Sequence, residues 1–113
     1  MVFNSIIPKD VVIDNVTFKV KPLTALQQAD IMDMLSSMKT NVDLVKAGQK
    51  AMDYALIDVT GLKDAEGHYV KPTRDANGNL EQSFLDGFGA LELRPIVRAI
   101  VDASTLREDV KKN

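Results

Sequence analysis

The 113 residues contain no cysteine and no tryptophan, and histidine occurs once. Without cysteine there is no disulfide framework, no thiolate zinc site and no cysteine nucleophile, and the composition fits a reducing cytoplasm. A single histidine, His68, cannot build a metal cluster. Aromatic residues make up 5% of the chain, too few for a base-stacking platform. Lys and Arg number 14 against 16 Asp and Glu, giving a net charge of −2. The basic residues stand singly apart from Lys111-Lys112, so there is no cationic stripe of the kind nucleic acid requires. No apolar run approaches a membrane span, and Met1-Val2-Phe3-Asn4-Ser5 has none of the features of a signal peptide. These absences predict a cytoplasmic protein with neither nucleic acid nor membrane as partner.

A chain of this length makes one domain with a modest core. The stretch that organises it runs from Val16 to Met38. Val16, Phe18 and Val20 alternate with Thr17 and Lys19, the period of a strand with one buried face. Pro22 cannot donate to a sheet ladder and biases Lys21 toward an extended backbone, which stops the pairing there. Thr24 can accept a bond from an orphan helix N–H, and Gln27 can reach back to complete a capping box. Ile31, Met34, Leu35 and Met38 then follow at i, i+3, i+4 and i+7, one face of a helix over about 25–38. Such a stripe is ordinarily core, but two of the four are methionine, which adapts to irregular partners, so the four are also the candidate partner-binding residues.

Upstream, Asp10 to Ile13 is short and β-branched, and Asp14-Asn15 tolerate positive φ, so a hairpin is expected over about 10–20. Downstream, Thr40 and Asp43 repeat the capping pattern ahead of a helix over about 42–60. Its seam is Val45, Gly48, Met52, Ala55, Val59 and Leu62, and the small residues Gly48, Ala51 and Ala55 permit close approach of a neighbouring helix. Gly61 falls where a left-handed C-cap would end it. Residues 63–79 are rich in turn formers and read as an irregular loop or a small hairpin excursion. Short apolar series predict helices over about 80–86 and 94–104, with Pro95 in the first turn of the latter. The predicted fold is mainly α (α+β): an N-terminal β-hairpin leading into a bundle of about four helices, with an irregular loop in the middle. One globular domain is expected over 1–104, followed by a charged, frayed tail over 105–113.

Chemical sites fare poorly. Asp75-Ala76-Asn77-Gly78-Asn79 suggests a calcium loop, but counting from Asp75 puts Leu80 where glycine is needed and Asp86 where a bidentate Glu is needed. Asp64 and Glu66 beside His68 read as a polar loop, with no nucleophile motif for general acid–base work. Gly87-Phe88-Gly89 lacks the third glycine and the preceding strand of a dinucleotide fingerprint. No enzyme, metal or cofactor is expected.

The hairpin, the phrase Val16-Thr17-Phe18-Lys19-Val20-Lys21-Pro22-Leu23-Thr24 and the capped helix after it resemble the tail assembly chaperones of long-tailed, siphovirus-type bacteriophages. In that family a strand ending in an Arg/Lys-Pro-Leu-Thr phrase leads directly into the first helix, and Lys21-Pro22-Leu23-Thr24 matches it. The resemblance is sharp over residues 16–38 and architectural beyond them. It implies a non-catalytic protein of the host cell cytoplasm that binds the tape measure protein, keeps it soluble and helps recruit tail tube protein, with possible self-association. The alternative is a structural or adaptor protein of the particle that assembles through its hairpin edge. A third reading, a small enzyme centred on His68, has the least support in the residues.

Overall fold

Asp14 and Asn15 adopt φ angles of +51° and +65°, the two left-handed residues of a type I′ turn. They join β1 (Lys9–Ile13) to β2 (Val16–Val20), so the expected hairpin is present. The structure is a computed structural model and describes residues 7–105; the tail expected beyond Thr105 lies outside the described residues. The remaining elements are α1 (Ala25–Ser36), α2 (Asn41–Ala55), β3 (Leu56–Thr60), α3 (Gln82–Leu85) and α4 (Ala90–Ser104). The architecture is α+β: a three-stranded antiparallel sheet in the order β1-β2-β3, with four helices.

The third strand corrects the helix expected over 42–60. That helix stops at Ala55, and Leu56 turns the backbone extended at φ −72°, ψ 126° with no linking residue. Val59 satisfies the helical seam and equally the strand pattern, where Leu56 and Val59 face inward. The contest is settled by the neighbours. A two-stranded hairpin is marginal alone, and Ile57, Val59 and Thr60 suit a pleated surface on the free side of β2. Phe18 pairs with Val59 and Val20 with Leu56, while a bulge at Lys19/Val20 leaves Ile57 unmatched. Gly61 therefore follows a strand and not a helix. Its φ of +88° and the Asn15 carbonyl 3.1 Å from any added Cβ still demand glycine there.

Pairing fixes the two faces of the sheet. Val11, Phe18 and Val59 lie side by side on the inner face, whereas Asp10, Lys19 and Asp58 form an alternating charged row on the outer one. Phe18, Val20 and Val59 join Leu44, Met52, Leu93, Ile96 and Ile100 in one core. Within it α2 packs chiefly on α4, and Gly48 allows that contact to be close: a Cβ there would lie 2.9 Å from Leu93 Cβ.

Both capping boxes form. Thr24 Oγ1 accepts from Gln27 N at 3.2 Å while Gln27 Oε1 accepts from Thr24 N at 3.0 Å. Thr40 and Asp43 do the same for α2. The Asp43 carboxyl is held below its ordinary value of 3.8, first by the Lys39 N–H that donates to it. Thr24→Ala is expected to cost about 1 kcal/mol. An unchanged urea midpoint at constant slope would show that the cap carries no stability.

The last two helices differ from expectation. The helix expected over 80–86 is one turn, Gln82–Leu85, because Leu80 bridges back to Arg74. The helix expected over 94–104 begins at Ala90 with Gly89 as N-cap, where Gly89 N donates to Glu92 Oε1 at 3.4 Å. Pro95 thus sits inside the helix, one turn after the exposed Leu91 and on the same side, and the Leu91 carbonyl loses its intrahelical partner.

Candidate functional site

Helix α1 carries two interleaved apolar series. The first is Ile31, Met34, Leu35 and Met38. Ile31 is completely buried, so as a partner-binding residue it is corrected to a core residue. Met34, Leu35 and Met38 are half-buried and pack against that core. Met34 and Leu35 lie on the inward side of α1 with their edges in solvent, and Met38 falls just past the helix, which ends at Ser36 and not at the expected residue 38. The second series, Ala25, Leu26, Ala29 and Met32, points outward. Leu26 is 85% and Met32 49% exposed, and with the two alanines they give this side of the helix an apolar character.

The outward side is held in place from several directions. Thr24 and Gln27 fix the start of the helix, and Tyr54 Oη donates to Asp30 Oδ2 at 2.6 Å to tie α1 to α2. That bond, with burial second, raises the Tyr54 phenol above its ordinary value of 10.0. The corner before α1 is tied to the far end of the chain, because Leu23 N donates to the buried Ser104 Oγ at 2.8 Å. Gln28 Nε2 donates to Thr105 Oγ1 at 3.1 Å on the same side. The corner is therefore rigid, while its outer apolar face has nothing over it among the described residues.

A second apolar surface is a groove of about 610 Å³ at the opposite end of the sheet. Phe18, Phe84 and Phe88 form its floor, with ring centroids 6.3 Å apart for Phe18 and Phe88 and 5.4 Å apart for Phe84 and Phe88. Val16, Leu62 and Val70 form the walls. Sequence reasoning missed this groove, since its residues come from four separate stretches.

The excursion expected at 63–79 is a pair of matching hairpin turns. Lys63 bridges Tyr69 and Arg74 bridges Leu80. In the first, Asp64 Oδ1 accepts from Glu66 N and His68 N; in the second, Asp75 Oδ1 accepts from Asn77 N and Asn79 N. The shared phrase Asp-Ala-x-Gly explains both, with Gly67 and Gly78 at φ +86° and +83°. Side chains then fasten the excursion to the sheet. Lys71 Nζ donates to Val59 O at 2.6 Å, and Arg74 Nη2 to Leu56 O at 2.8 Å. The same Arg74 pairs with Asp53 at 3.3 Å, and Asp53 accepts from Leu80 N.

His68 is 75% exposed and lies 3.7 Å from Asp64 and 3.8 Å from Glu66 on the first turn. Among the described residues no group of three or more His, Cys, Asp or Glu is placed to hold a metal ion. Nor is any described helix long and apolar enough to cross a membrane.

The fold and these surfaces define an α+β domain, sheet on helices, with two exposed apolar surfaces. The chain matches no protein-family model, no curated protein and no solved structure.

Proposed function

We propose that the protein is a tail assembly chaperone of a long-tailed bacteriophage. In this reading it performs no catalysis and works in the host cell cytoplasm. It binds the tape measure protein, keeps it soluble and helps recruit tail tube protein while the tail is built. The observation that carries the reading is the strand–corner–helix unit: Lys21-Pro22-Leu23-Thr24 feeds β2 into a doubly capped α1 whose outer side exposes Leu26 and Met32. A long helical client presents apolar stripes that need reversible cover. Met32, beside Leu26 on the outward side, supplies a surface that repacks against many registers of such a stripe. Many copies along one client gain avidity without strong individual contacts.

Co-expression with the tape measure protein of the same genome tests the proposal. The expected result is a soluble client that co-purifies with the wild-type protein. Leu26→Asp and Met32→Asp should weaken co-purification roughly tenfold while the circular dichroism melt stays unchanged, since both side chains are exposed. A client that stays insoluble, or binding indifferent to both changes, would sink the proposal.

The second reading, a structural or adaptor protein of the particle, draws on the sheet edges. Lys71 and Arg74 occupy carbonyls on the outer edge of β3, which leaves β1 as the open edge among the described strands. Stoichiometric protein in purified virions would favour this reading over the chaperone.

A further inference from the structure

Leu91, in the first turn of α4, is 84% exposed. Arg94 and Arg98 follow at i+3 and i+7, so leucine and arginines share one side of the helix. Both arginines are exposed, and neither makes an ion pair with another described residue. The neighbouring side of the same helix does something different. Glu92 and Ile96 form one wall of the apolar groove floored by Phe18, Phe84 and Phe88. Three carboxylates, Asp14, Asp64 and Glu92, line that groove against one ammonium, Lys63, which lies 5.0 Å over the Tyr69 ring.

The start of α4 therefore carries an apolar knob flanked by cations beside an apolar hollow rimmed by anions. A surface that holds both halves of a complementary pair is what a two-fold interface needs, because each copy must give and receive the same contact. We propose that two copies of this chain associate about a two-fold axis at the start of α4. Leu91 of each copy enters the groove of the other, and Arg94 and Arg98 face the Asp14, Asp64 and Glu92 carboxylates across the contact. The groove, at about 610 Å³, has room for Leu91 together with the neighbouring Pro95 ring. The acidic rim disfavours an acidic partner, and the arginines supply the opposite sign. This inference uses a different surface from the chaperone reading, and either can fail without the other.

Sedimentation equilibrium of the purified chain, from about 1 µM to about 1 mM, tests it at low and high salt. The expected result is a monomer–dimer equilibrium that weakens as salt rises. Leu91→Glu leaves the thermal melt unchanged, because the side chain is exposed, and raises the dissociation constant roughly a hundredfold or more, since two buried leucines are lost per dimer. Glu92→Lys weakens the dimer about tenfold, and Leu26→Glu, an exposed leucine elsewhere, does not affect it. A chain that is monomeric throughout leaves the groove to another kind of partner and overturns the proposal. So does any assembly that Leu91→Glu leaves within a factor of about two, that ignores salt, or that Leu26→Glu disrupts instead.

Discussion

Gly48→Val is expected to destabilise the domain by about 3 kcal/mol. Gly48 lies in the middle of α2, where a glycine by itself lowers helix stability by about 1 kcal/mol relative to alanine. Any side chain would remove that handicap, so sequence propensity predicts a gain. The packing predicts the opposite. An ideal Cβ at Gly48 lies 2.9 Å from Leu93 Cβ and 3.2 Å from Leu93 Cδ2. The first of those atoms is fixed to the α4 backbone and cannot swing aside, so α2 and α4 must separate along the contact that joins them. Gly48→Ala meets the same clash with fewer atoms and a compensating propensity gain, and its net cost is about 1 kcal/mol. Urea unfolding at constant slope measures both. A valine variant as stable as the wild type would show that the two helices part freely and that the close approach holds nothing together.

Ser104→Ala is the second large effect, about 2 kcal/mol. Ser104 is the buried polar residue among the described residues, 2% exposed. Its Oγ accepts from Leu23 N at 2.8 Å and donates to Ile100 O at 2.8 Å. Alanine fits the space but leaves the N–H of the buried Leu23 without this acceptor, and an unsatisfied buried donor costs more than the bond was worth. The loss should be local as well as global. Hydrogen exchange at the Leu23 amide should accelerate far more than exchange at the α2 amides, because the corner before α1 comes loose first. Equal acceleration at both places would show that Ser104 acts through general packing alone.

Much of the fold is legible because it is decided within a few residues. The Asp14-Asn15 turn, the alternation of Val16, Phe18 and Val20, and both capping boxes depend on neighbours in the chain, and all are found where the pattern puts them. Leu56 to Thr60 is different. Its apolar residues satisfy two periods at once, and no Gly, Pro or Asn marks the passage from α2 into β3. The deciding partner, the open side of β2, lies far back in the chain. The start of α4 is hidden for a related reason: Gly89 is a weak capping residue, and Pro95 resembles the beginning of a helix while lying inside one.

On α1 each series has four members, but Ile31, Met34, Leu35 and Met38 are all large, whereas two of Ala25, Leu26, Ala29 and Met32 are alanine. Burying the larger set removes more apolar surface from water, so Ile31 is core while Leu26 and Met32 face solvent. A helix with apolar residues left over after its buried face is filled is the signal that could have found the exposed side. The groove offered no such signal, since Phe18, Leu62, Phe84 and Ile96 meet only in three dimensions.

The bonds that close the sheet onto the helices have a consequence for how the protein is made. Lys9 Nζ reaches Ala103 O at 3.0 Å, and Leu23 N reaches Ser104 Oγ. A ribosome delivers the hairpin first and α4 last. Until Leu93, Ile96 and Ile100 emerge, Phe18, Val20 and Met52 lack the wall they pack against, and the hairpin alone is marginal. The domain cannot assemble in the order of its synthesis. It closes when α4 meets the hairpin and α2, and until then the nascent chain shows its future interior to the cell.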